Sequence, residues 1–179
     1  MKRLVFEEIQ ILSYREKKAI KIKFNPKKTI IKGSNQVGKS SLIKSIYYTL
    51  GATPQIINQN WVKAEPICFL KLKIDDKSMS ILRYDKSRFA VVDDAGKITP
   101  HSLKSFSKFI NTELNFKLII TNRNGEAENP PTSYLFLPFY VDQDKDWNES
   151  WNTFTNLSQF SSWKKPLIDY HSGIRGNKY

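Results

Sequence analysis

Two periods alternate along the chain. Leu4 to Leu12 alternates loosely, and Ala19-Ile20-Lys21-Ile22-Lys23-Phe24 alternates apolar with basic residues, so both predict strands, the second half-exposed. The polar stretch from Ser13 to Lys18 joins them. Asn25-Pro26-Lys27-Lys28 predicts a turn, and the β-branched run Thr29-Ile30-Ile31 predicts a third strand. After Ser41 the period changes: Leu42, Ile43, Ile46, Tyr47 and Leu50 are apolar at helical spacing, and Gly51 stands next as a stop. Ile67–Ile74, Met79–Tyr84 and Phe89–Val92 predict a meander of short antiparallel strands, with turns at Asp75-Asp76-Lys77 and Asp93-Asp94-Ala95-Gly96. Thr99-Pro100 predicts the start of a second helix with an apolar face of Leu103, Phe106, Ile110 and Leu114. Beyond it, Lys117–Thr121 predicts a strand, residues 122–132 a loop, and Leu135–Val141 a buried strand or extended segment. Trp147, Trp151, Phe154 and Leu157 predict a helix from about Asn148 to Phe160, and Pro166 interrupts the last stretch of the chain.

The chain has 179 residues, 40% of them hydrophobic, which suffices for a single domain over 1–179 with a real core. No apolar run approaches the ~20 residues of a membrane helix. Charges at Lys2, Arg3, Glu7 and Glu8 argue against a signal peptide, and a lone cysteine, Cys68, excludes an internal disulfide. A reduced, cytoplasmic setting is expected. His101 and His171 are far apart and Cys68 has no ligand-type neighbour, so no metal site built from side chains alone is expected. The net charge is +12, unevenly spread: residues 1–32 hold ten Lys or Arg against three Glu, while Asp142, Asp144, Asp146 and Glu149 cluster around Lys145. A basic surface favours polyanions; a solvated lysine-rich face is the plainer alternative.

The chemistry concentrates at Gly33-Ser34-Asn35-Gln36-Val37-Gly38-Lys39-Ser40, a complete G-x-x-x-x-G-K-[ST] sequence between a predicted strand and a predicted helix. Glycines let backbone N–H groups turn inward around phosphate oxygens, and the next helix aims its positive end at the same anion. Lys39 is expected to reach the β- and γ-phosphates. The Ser40 hydroxyl is expected to hold Mg²⁺, and the cradle extends through Ser41. The pattern points to an α/β fold of the P-loop NTPase class binding ATP with Mg²⁺, with an antiparallel β region beside the nucleotide-binding core. A glycine turn that holds no ligand is the alternative. Phe89-Ala90-Val91-Val92-Asp93-Asp94 has the form of a Walker B strand, and with Asp93 as metal acid the chain would be a self-contained small NTPase or kinase. Asp-Asp-Ala-Gly is also an ordinary hairpin turn.

The string Gly33-x-Asn35-x-x-Gly38-Lys39-Ser40-Ser41-Leu42, with Ile46-Tyr47-Tyr48 on the helix, resembles the SMC/RecF branch of ABC-type ATPases. So does the order of strand, Tyr14-Arg15 turn and two further strands before the loop. Gln36 stands where loops of this family usually carry Gly. Phe139-Tyr140-Val141-Asp142-Gln143-Asp144 resembles the family's Q-loop, which implies that Gln143 contacts Mg²⁺ and the attacking water. Leu135 to Trp147 is similar to the corresponding stretch of SMC-like defence proteins of Lamassu type. Arg15 resembles the arginine that approaches nucleotide or DNA after the first strand. The resemblance implies the N-terminal lobe of an ABC-type head, with a core through about residue 146 and a helical segment over about 147–179 leading toward a coiled coil. In the family a second lobe brings the LSGGQ-like signature, Walker B and the catalytic Glu, and no signature motif is read in this sequence. Lys39 and Gln143 would therefore act catalytically only in a complete head, and this chain would bind ATP without efficient turnover. The implied partners are the C-terminal lobe, a second head and DNA, in repair, DNA maintenance or phage defence. Lys2, Arg3, Lys17, Lys18 and Lys21 are the DNA-facing candidates. A nucleic-acid-binding module with a vestigial P-loop is a further alternative.

Overall fold

The alternating segments assemble into one sheet. The structure is a computed structural model that describes residues 2–142 and 151–173. Strands β1 (Leu4–Ser13), β2 (Lys18–Lys23), β3 (Ile67–Ile74), β4 (Lys77–Arg83), β5 (Arg88–Asp93) and β6 (Ile98–Ser102) lie in the order β2-β1-β3-β4-β5-β6, each neighbouring pair antiparallel. The two-residue period decides the faces. On β3, Cys68, Leu70, Leu72 and Ile74 are buried, while Lys71 and Lys73 point to solvent. β4 continues the inner face with Met79, Ile81 and Arg83. β1 carries a bulge between Phe6 and Glu8, which resets the facing of the strand. β2 is an edge, exposed everywhere except at half-buried Ile22, and its lysines discourage pairing with another chain.

Helix α1 (Lys39–Thr49) packs on β3 and β4, and α3 (Leu103–Glu113) packs on β5 and β6. Between them in sequence lies the short α2 (Gln59–Lys63). Phe89 of β5 stacks on Phe106 of α3 at 4.3 Å between ring centroids. A two-stranded hairpin, β7 (Ile120–Thr121) with β8 (Ala127–Glu128), precedes α4 (Thr132–Phe136), which runs on into a 3₁₀ turn over Leu137–Phe139. A second 3₁₀ turn, Leu157–Gln159, leads to α5 (Lys164–Ser172). These outer elements contribute Tyr134, Leu135, Phe154, Phe160 and Leu167 to the same core as Ile9, Leu70 and Ile81.

Several expectations from sequence are revised. Thr29-Ile30-Ile31 is not a strand: Ile31 packs on the core, but Ile30 is 70% exposed and no described segment pairs with it. A β-branched run favours extended backbone, yet a strand also needs a neighbour. Thr99-Pro100 belongs to β6, opposite Val91 and Ala90, where an edge tolerates proline. Helix α3 begins later, at Leu103, because the Ser102 hydroxyl accepts from the Ser105 amide. Leu135–Val141 is buried at first as expected but helical, and becomes extended only at Tyr140. Short apolar runs do not distinguish the two conformations. Residues 148–150 lie outside the described residues. From Trp151 to Phe160 the only helical turn is Leu157–Gln159, and left-handed Trp151 and Asn156 break any longer helix. The aromatic spacing there reflects contacts to the core and the bridges Pro54–Phe154 and Asn122–Phe160. No helix among the described residues is long and apolar enough to cross a membrane.

Candidate functional site

The site begins with backbone. Gly38 adopts φ 89°, ψ 14° at the N-cap of α1, a conformation glycine takes without steric cost. Gln36 is left-handed too, at φ 65°. At Gly33 an added Cβ would lie 2.8 Å from Val37 Cγ2, so any side chain there would displace that of Val37. The Lys39 ammonium folds back across the loop and donates to the carbonyls of Gly33 at 2.9 Å and Ser34 at 2.6 Å. Among the described residues no side chain caps α1, and its first turn holds no acidic residue. The amide end and positive pole of the helix therefore meet neither a first-turn carboxylate nor a hydroxyl cap. Residues 33–38 and Ser40 are exposed; Lys39 and Ser41 are half-buried at the helix start. Chemically, the loop offers an anion backbone donors, a helix N-terminus and an ammonium held by two carbonyls.

Further along α1 the surroundings close in. The Ser45 hydroxyl donates to Ser41 O and the Thr49 hydroxyl to Ser45 O, both at 2.7 Å. Lys44 Nζ lies 3.0 Å from Asp142 Oδ2, with the side chains 6% and 3% exposed. The Tyr47 hydroxyl donates to Phe139 O at 2.9 Å, and its ring sits 4.6 Å from that of Tyr140. Burial pushes the Tyr47 phenol up to about 12, so it remains a neutral donor. Phe139 thus meets α1 at Tyr47 and Asp142 meets it at Lys44, so residues 139–142 run along the helix toward its N-terminus.

The sequence-predicted residues divide accordingly. Gly33, Ser34, Asn35, Gln36, Val37, Gly38, Lys39, Ser40 and Ser41 form one continuous loop and helix start. Arg15 docks elsewhere: it donates to Lys63 O at 3.2 Å and lies 3.6 Å from Glu65, beside the end of α2. Gln143 lies outside the described residues. Asp93 closes the β5–β6 hairpin, accepting from the Lys97 amide at 2.9 Å, with Gly96 at φ 79°, which is the turn reading of that acidic pair. Lys2, Arg3, Lys17, Lys18 and Lys21 are exposed, and Lys21 pairs with Glu8 at 3.1 Å. Sequence reasoning missed the Lys44–Asp142 pair. Its one trace is a lysine set between Leu42-Ile43 and Ser45-Ile46 on a helix otherwise rich in core residues.

No protein-family model matches the chain. It is 27% identical over 172 residues to the Lamassu protein LmuB of Bacillus cereus (strain VD014), an alignment covering 96% of this chain and 30% of that protein. A second Lamassu protein LmuB, from another Bacillus strain, is 29% identical over 147 residues, covering 81% of this chain and 25% of that protein. The chain thus spans less than a third of the length of these curated relatives. The similarity agrees with the Lamassu-type resemblance read from Leu135 to Trp147.

Proposed function

We propose that this chain is the nucleotide-binding part of an SMC/RecF-like ABC-type ATPase of anti-phage defence. The observation that carries the reading is Lys39, folded over a glycine-turned loop at the start of a helix that no described side chain caps. The residues present fit ATP with Mg²⁺: the amides of residues 33–41 would hold the phosphates, Lys39 would neutralise their charge, and the Ser40 hydroxyl would ligate the metal. Gln143 is the second metal-contact candidate, on its sequence context alone. The bound metal would draw charge from the phosphate oxygens. Similarity to Lamassu LmuB supports the assignment to defence. Hydrolysis, head pairing and action on DNA belong in this reading to a larger assembly. Its remaining parts would supply the signature motif and the water-activating carboxylate, while the exposed basic residues at 2–21 would face DNA.

Titration of the purified chain with ATP and Mg²⁺, read by calorimetry, tests the reading. Saturable binding is expected. Lys39→Ala should weaken it about tenfold or more, since a hydrogen bond to a charged group contributes roughly 1.5–3 kcal/mol, while the far-ultraviolet circular dichroism stays unchanged. Asp93→Ala should leave the affinity as it was. An absence of ATP binding by the folded wild-type chain would sink the proposal. DNA affinity indifferent to both ATP and Lys39→Ala would instead favour a nucleic-acid-binding module.

A further inference from the structure

Lys44 and Asp142 form a buried ion pair between segments distant in sequence. Such a pair contributes little stability beyond what packed apolar side chains would give, but it demands one geometry. On α1, residues three and four apart share a face, so Ser40, Lys44 and Tyr47 form a stripe that starts at the loop. The segment 139–142 lies along that stripe, fixed at one point by the Tyr47 hydroxyl on Phe139 O and at the next by the ion pair. Lys44 stands one helical turn, about 5.4 Å of rise, from Ser40, and its ammonium holds Asp142.

We propose that Lys44 and Asp142 are positioning residues. Their ion pair holds residues 139–142 in register along α1 and thereby sets the geometry with which the loop takes up Mg²⁺ together with a nucleotide. The inference rests on the nucleotide-binding reading above and adds to it a determinant of metal dependence outside the loop. It separates two functions on one helix: Lys39 acts on the phosphates, and Lys44 acts through the segment it holds.

The test measures ATP affinity with Mg²⁺ and with excess chelator, for the wild-type chain and for Lys44→Met, Asp142→Asn, Lys44→Arg and the exchanged pair Lys44→Asp/Asp142→Lys. The single neutralising variants should lose the Mg²⁺-dependent gain in ATP affinity by about tenfold or more, the range over which groups that orient metal ligands act. Their affinity for ATP in chelator should stay that of the wild type. Lys44→Arg keeps the charge, and it or the exchanged pair should restore most of the gain. A merely structural pair would lower the melting temperature and leave the Mg²⁺ gain intact, which would overturn the inference, as would neutralising variants whose loss neither restoring variant repairs. If one neutralising variant does not fold, the other carries the test; if neither folds, Asp142→Glu, whose longer side chain displaces the segment along α1, carries it, and an unchanged Mg²⁺ gain there counts against the inference. A wild-type chain that binds no ATP brings down the underlying reading; a wild type that binds, with variants of equal Mg²⁺ gain, brings down only the positioning role.

Discussion

At its C-terminal end α1 runs into side chains of its own fold, whereas its N-terminal end meets the backbone of an exposed loop. Arg83, 1% exposed, lies with its guanidinium carbon 3.5 Å above the Tyr48 ring and 4.8 Å from that of Phe89. It donates to the carbonyls of Tyr48, Asp85 and Lys86. Trp61 adds its indole N–H to the Ser45 hydroxyl at 2.9 Å, with its ring edge-on to Tyr48. Burial lowers Arg83 to about 10, which still leaves a cation at neutral pH, held at the negative end of the helix dipole. Burial in the same surroundings pushes the Cys68 thiol up to about 11, so it stays a protonated, inert core group. At the other end stands Lys39, bonded to two backbone carbonyls of the loop. The fold completes the carbonyl end of α1 itself; at the amide end it builds a conformation suited to an anion.

If that contrast is right, substitutions at the two ends fail in different ways. Arg83→Ala should have the largest effect. It removes a buried side chain, opens a cavity beside Tyr48 and takes the side-chain donor from three carbonyls, of which Tyr48 O keeps the Gly51 amide, together costing roughly 3 kcal/mol. For a chain of this size that lowers the melting temperature by about 10 °C. Thermal unfolding followed by circular dichroism reads it, and a shift of only a degree or two would show that α1 does not depend on this end.

The two ends also differ in how far the sequence discloses them. The Gly33–Ser40 loop is legible because it is a local backbone device, in which glycines at fixed spacing permit the left-handed turn and the lysine comes immediately after. The strands from β3 to β5 are legible through their two-residue period, whereas the sequence leaves Asp93 between a metal acid and a turn residue, and the Lys97 amide bonded to its carboxylate is what marks the turn. Arg83 is not legible. A buried arginine lies in the same alternation as an exposed one, and the carbonyls that hold it come from α1 and the β4–β5 turn. Lys44–Asp142 is hidden for the same reason, since a pair between distant segments leaves no periodic trace. The expected Thr29–Ile31 strand and the helix expected to reach Phe160 do not form, because β-branching and aromatic spacing report burial as readily as secondary structure.

The middle-sized effect belongs to Gly38→Ala. A Cβ there would meet nothing within 4 Å, so the cost is backbone strain alone, roughly 1–2 kcal/mol for a left-handed alanine. Melting should fall by a few degrees, far less than for Arg83→Ala. ATP affinity should fall more clearly, because strain at Gly38 redirects the first amides of α1. If Gly38→Ala melted like Arg83→Ala and bound ATP like the wild type, the two ends would not be divided between stability and binding.

The smallest effect makes the sharpest comparison within the loop. Gln36 holds φ 65° where glycine would be unstrained, and its side chain is exposed. Gln36→Gly removes a local cost but also loosens the unfolded chain, and these terms nearly offset, leaving at most about 1 kcal/mol of added stability. The melting temperature should therefore rise slightly or hold. ATP affinity should hold or rise modestly, because the backbone amides that would form the cradle are unchanged and the turn that aims them becomes easier. A fall in affinity with unchanged melting would mean that the glutamine side chain itself touches the nucleotide. The binding determinant at this position would then be chemical rather than conformational, and the loop would do more with its one departure from glycine than hold a turn.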